Sequence, residues 1–185
     1  MPHIHTYIRV FFVVLLLSGL SLQGRARAET AAEIDENVAA SLGRFLTDHG
    51  AARDLIDKSA GVLVFPKVVK AGFGFGGEYG EGALRVNGQT VDYYNTVTVS
   101  FGFQLGVQMR SVFLVFLTDK ALSQFRASDG WEVGVDGSIA VITLGISETL
   151  DTNSIRGPVV AFITDQKGLM YNLTLEGSKM TKIKK

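Results

Sequence analysis

The sequence predicts an α+β single domain: a curved, largely antiparallel β-sheet or barrel-like core, preceded by two helices and carrying one further short helix. Three observations point there. Between residues 96 and 110 apolar and polar or small residues alternate without a break. Gly61 to Gly82 (GVLVFPKVVKAGFGFGGEYGEG) alternates glycine with large rings, and a helix-period apolar stripe stands before both. A period of two marks a strand with two unlike faces, whereas a period near 3.6 marks a helix with one buried stripe.

The first 28 residues read as an export leader and not as fold. Arg9 precedes the apolar run Val10 to Leu22, and Ala26-Arg27-Ala28 is a small-x-small cleavage pattern, which predicts a mature start at Glu29. That run is shorter than the roughly 20 residues a spanning helix needs. The expected organisation is therefore a signal peptide over 1–28 and one domain over 29–185, periplasmic or secreted. Without the leader the chain keeps 15 basic against 18 acidic side chains, a net charge of −3. Nucleic acid is not an expected partner, because its binders carry a basic stripe. Cysteine is absent from all 185 residues, so disulfides, thiolate metal sites and a lipidated N-terminal cysteine are excluded.

From Glu29 onward the elements follow in order. Ile34, Val38, Leu42, Phe45 and Leu46 recur at helical spacing and predict an amphipathic helix over about 31–47, ended by His49-Gly50. A shorter helix over about 51–58 presents Leu55 and Ile56. Gly61 to Gly82 reads as a first strand pair. Phe73, Phe75 and Tyr79 share one parity and the glycines the other, leaving a bare face open to a helix, a second strand layer or a ligand. Asn87-Gly88, between Ala83–Val86 and Val91–Tyr94, is the strongest hairpin signal.

The alternating stretch places Val97, Val99, Phe101, Phe103, Leu105, Val107 and Met109 on a buried face and their polar neighbours on a wet one. Val112 to Leu117 is continuously apolar and suits a central strand covered on both sides. Thr118 caps a helix reaching Ala127. Trp131, Val133 and Val135 then alternate, and Ser138 to Ile146 continues as an apolar run. Val159–Ile163 and Leu169–Leu175 flank a turn at Asp165–Gly168, and the basic tail Lys179–Lys185 reads as frayed.

Chemistry finds little material. Gly72 to Gly77 satisfies G-x-G-x-x-G, but Glu78 to Gly82 continues as strand or turn, where a dinucleotide fingerprint must open a helix. His49 is the one histidine of the mature chain and reads as an exposed residue at a helix C-terminus. No nucleophile or metal-ligand pattern was found among its acids, and a spatial carboxylate pair such as Glu78 with Glu132 stays a minor alternative. The chain is read as a non-enzyme with no catalytic residue, no cofactor and no metal.

Four ordered segments carry a resemblance: Gly61–Gly82, Ser100–Gln108 (SFGFQLGVQ), Phe125–Gly137 (FRASDGWEVGVDG) and Gly168–Ser178 (GLMYNLTLEGS). Together they resemble the SYLF domain, a lipid-binding family with eukaryotic actin-patch members and exported bacterial ones, over about 34–183. The resemblance implies binding of an anionic phospholipid or membrane surface. It directs attention to the helix residues Ile34, Val38, Leu42 and Phe45 and to Lys67 and Lys70, which flank Val68-Val69 on a strand edge. The alternative function is a structural or interaction protein of the cell envelope, with an envelope protein as partner.

Overall fold

The structure is a computed structural model that describes residues 28–137, 139–145, 157–168, 175 and 177–185; for residues 73–75 and 100–105 it describes the backbone alone. Residues 1–27 of the segment read as a leader, all of Leu169–Leu175 except its last residue, and the side chains of Phe73, Phe75, Phe101, Phe103 and Leu105 lie outside the described residues. The class is α+β, in one domain, as expected.

Helix α1 spans Ala31–Asp48 and begins at a reciprocal cap. The Glu33 amide donates to the Thr30 hydroxyl, and the Thr30 amide donates to the Glu33 carboxylate at 2.7 Å. Two donors that a helix start leaves unpaired are thereby satisfied. Helix α2 spans Ala52–Asp57. The chain then enters β1, a single 26-residue strand, Gly61–Val86, where a strand pair was expected. Asn87 (φ 50°) and Gly88 (φ 77°) form the predicted tight turn, whose left-handed backbone matches the twist of a two-residue hairpin. Strand β2 runs back over Gln89–Phe116, merging the expected separate strands.

This ribbon folds back on itself, and glycine permits it. A Cβ on Gly80 would stand 2.8 Å from the Lys67 carbonyl oxygen, and one on Gly82 would collide with the Val64 carbonyl. The first half of β1 thus packs backbone to backbone against its second half. The bare glycine face meets a second strand layer, and that layer is the same strand.

Around the ribbon, β5 (Val159–Gly168) pairs antiparallel with residues 108–116 of β2. Strand β4 (Ala140–Thr143) adds in parallel to β5, while β6 (Lys179–Ile183) pairs with residues 93–97 of β2 and with the short β3 (Trp131–Glu132). Val112–Phe116 is therefore central, flanked by β1 and β5. Two corrections belong here. Asp165–Gly168 is no turn but the continuation of β5, with Asp165 at φ 55° beside a ladder irregularity. The tail is not frayed, because Lys179–Ile183 is a paired strand.

Two apolar clusters hold the fold. Val62, Val64, Phe113, Val115 and Phe162 meet α1 on one face of the sheet. Leu63, Phe65, Leu114, Phe116 and Trp131 fill the other side with helix α3, Asp119–Ala127, capped by Thr118 as predicted. Phe125 of α3 stands edge-on to Trp131 at 5.6 Å. Asp92 ties α3 and β6 to β2, accepting from Arg126 at 3.0 Å and from Lys182.

Candidate functional site

The helix residues singled out in the sequence are spent on the core. Ile34, Val38 and Phe45 are buried and Leu42 packs against the same cluster, with the Phe45 ring stacked on Phe113 at 4.4 Å. Burying each such side chain contributes about 1.5–3 kcal/mol. Turning this face to a bilayer would forfeit that contribution, so α1 presents no apolar stripe to a lipid surface in this conformation.

The two lysines also part company. Lys67 is exposed, whereas Lys70 is 7% exposed and paired in register with Gln108. They stand three positions apart on one strand, with Val68 and Val69 between them, which places their side chains on opposite faces. They do not form the double cationic edge expected of them.

The alternating stretch gives the largest correction. Its apolar members Val97, Val99 and Val107 are 41%, 67% and 55% exposed, while the polar members Thr96, Gln108 and Arg110 are buried. Among the described side chains of β2, Val107 and Met109 continue the face of Phe113 and Val115, and α1 covers that face at Phe113 and Val115. Beyond the reach of the helix the same face is left uncovered. On β1 an irregularity between Phe65 and Val68 shifts the parity, so that Lys67, Val69 and Ala71 continue the face begun by Val62 and Val64.

The uncovered face forms an open groove of about 770 Å³, lined chiefly by Lys67, Val69, Ala71, Tyr79, Val97 and Val99. This volume lies within the usual range of small-molecule sites, about 300–1,000 Å³. At its polar end the Tyr79 hydroxyl donates to Glu81 at 2.6 Å, and Lys185 donates to Glu81 at 2.6 Å and to the Glu29 carbonyl at 2.8 Å. Burial, reinforced by the Glu81 carboxylate, pushes the Tyr79 phenol up to about 12. Burial alone would raise the Glu81 carboxyl, but the bonds from Lys185 and Tyr79 and the ammonium charge hold it below its ordinary value. Next to this end lies a polar pocket of about 140 Å³ between α1 and β1, lined by Glu29, Asn37, Arg44, Pro66, Lys67 and Glu81.

Inside the ribbon the polar face is closed on itself. Arg110 donates to both Glu78 oxygens at 2.7 and 2.8 Å, and both side chains are buried. Glu78 is thus engaged by a cation and is no partner for Glu132. His49 is buried against Phe45, contrary to its expected exposure, and borders a pocket of only about 20 Å³. Among the described residues no group of three or more His, Asp or Glu side chains is placed to hold a metal ion. No helix among them is long and apolar enough to cross a membrane.

Residues 97–185 match the family model Ysc84, described as Las17-binding protein actin regulator. This part of the chain is similar to the Ysc84, or SYLF, family. Members of the SYLF family bind lipids, regulate actin and interact with proteins in general, and the family is not known as enzymatic. No curated protein matches the chain significantly. The SYLF match begins at Val97, on the groove, and takes in β5, β6 and Lys185 at its rim. Three of the four segments that carried the resemblance fall within it, and Gly61–Gly82, which forms the opposite groove wall, precedes it. Sequence reasoning placed Val69 at a strand edge but missed Val97 and Val99 as surface residues and Arg44, Glu81 and Lys185 as rim residues. The alternation was the available signal for the first group; contacts across more than 100 residues, such as Glu81 with Lys185, leave no local trace.

Proposed function

We propose that this chain is an exported, non-enzymatic module that binds phospholipid or a membrane surface through the uncovered face of β1 and β2. The observation that carries the reading is the reversal of the alternating stretch, with valines turned outward around a groove while Arg110, Glu78 and Gln108 are buried within. A contiguous apolar surface rimmed by polar residues is the mark of an interaction site and costs solubility when it has no occupant. The leader read over residues 1–28 directs the chain to the periplasm or beyond, where no actin is met. Of the general activities of the family, lipid binding is the one we carry over.

The test is native mass spectrometry of the protein purified from its own envelope, together with co-sedimentation on anionic vesicles. Expected are a co-purifying lipid and vesicle binding that Val97→Asp with Val99→Asp abolishes without lowering the thermal midpoint. Unchanged sedimentation of that double variant would overturn the groove as the contact. A stoichiometric protein without lipid would favour the envelope-interaction reading instead.

A further inference from the structure

The groove and the small polar pocket are neighbours with a shared wall. Glu29, Lys67 and Glu81 line both, and behind them the polar pocket adds Arg44 and Asn37. An apolar trough that opens into a cationic, hydrogen-bonding recess is the shape of an amphiphile and not of a flat bilayer face. We infer that the site takes one phospholipid molecule, with acyl chain along Val69, Tyr79, Val97 and Val99 and phosphate between Lys67 and Arg44.

The charges at this end favour an anion. Lys67 and Arg44 are both exposed at the recess, so neither is consumed by burial. Of the two acids present, Glu81 is neutralised by Lys185 and receives the Tyr79 hydroxyl. Glu29 adds one negative charge, and processing between Ala28 and Glu29 sets an α-ammonium group on the same residue, which cancels it. The planar guanidinium fork of Arg44 suits two phosphate oxygens, the Lys67 ammonium acts as a point charge, and the Asn37 amide supplies a neutral donor. An uncharged lipid would gain the trough and leave the recess unused.

This inference rests on the groove being a lipid site, and the experiment separates the two. Binding of myristoyl lysophosphatidylglycerol, monomyristin, myristate and inorganic phosphate, each below any critical micelle concentration, is measured by calorimetry on the exported protein and on its Arg44→Gln, Lys67→Gln double variant. The lysophospholipid is expected to bind about tenfold or more tightly than monomyristin in the wild type. In the double variant that advantage disappears while monomyristin binding and the thermal midpoint stay as they were. Added salt should weaken the lysophospholipid and leave monomyristin unaffected. Equal affinity of lysophospholipid and monomyristin in the wild type would overturn the phosphate recess and leave the groove standing. Myristate equal to the lysophospholipid would make the recess a carboxylate site, and inorganic phosphate as tight as the lysophospholipid would make it an ion site; either overturns the inference. No binding of any amphiphile would sink the groove reading itself.

Discussion

Gly82 and Glu78 show how much single positions of β1 carry. Gly82 meets the Val64 carbonyl with no room for a Cβ, so Gly82→Ala is expected to destabilise by about 1–3 kcal/mol through overpacking, read as a lowered denaturation midpoint. Glu78 faces Arg110 in a buried two-oxygen pair, and removing one partner takes two charge-assisted hydrogen bonds from a buried charge. Glu78→Ala should therefore cost about 3–5 kcal/mol by denaturant titration, whereas replacing both residues by apolar ones of similar volume should cost far less. Glu81 gives a pH signature. Its folded carboxyl is held below the ordinary value of 4.5, so its bond with Lys185 contributes stability above that value, and the contribution is lost as pH falls through the lower folded pKa. An acid melting series should show that loss below about pH 4.5 in the wild type and a shallower fall in Glu81→Gln. The sequence offered a second strand layer as one neighbour of the glycine face, but it did not show which residues face Gly82, Glu78 or Glu81.

At the scale of the element, helices and the hairpin were legible and the sheet faces were not. The stripe of α1, the Thr118 cap and Asn87-Gly88 are all settled by residues within one or two turns of each other, and so is the Thr30-x-x-Glu33 start, which the sequence reading passed over. The faces of β2 depend on how far α1 reaches across them, and no period in the strand records that. Periodicity told that the stretch has two unlike faces, but the apolar face it assigned to the core is the one left uncovered at Val97, Val99 and Val107. The same contrast separates stability from binding. Phe45→Ala should cost about 3–5 kcal/mol and leave vesicle binding per folded molecule unchanged, because Phe45 sits between Phe113 and Phe162. Thr30→Ala should cost about 1 kcal/mol through the lost cap, measured as a lower thermal midpoint.

For the whole molecule, the long ribbon explains why two groups of residues far apart in sequence share a site. Folding β1 and β2 back brings Lys67–Ala71 opposite Tyr79 and Val97–Val99, and α1 then adds Arg44 from one side while β6 delivers Lys185 from the other. The α+β class was legible from patterning alone, because helix stripe, alternating strands and turn residues agree with one another. The site was not, since it is assembled from segments joined by tertiary packing. N-terminal sequencing of the exported protein is expected to begin at Glu29. A chain that retains Val10 to Leu22 would instead hold the groove beside an anchored segment, and recovery in the soluble periplasmic fraction would fail.

The self-contact of β1 also works as a vernier. Gly80 lies over Lys67 and Gly82 over Val64. Sliding the two halves by two residues in one direction would set Leu84 on Val64, and in the other would set Glu78 on Lys67, each time driving a side chain into backbone. A one-residue slip would bring Tyr79 or Glu81 inward. Only one alignment of the ribbon is sterically open, so the dimensions of the groove are set by two missing side chains rather than by its lining, and ligands of different length would have to fit a trough that cannot adjust by sliding.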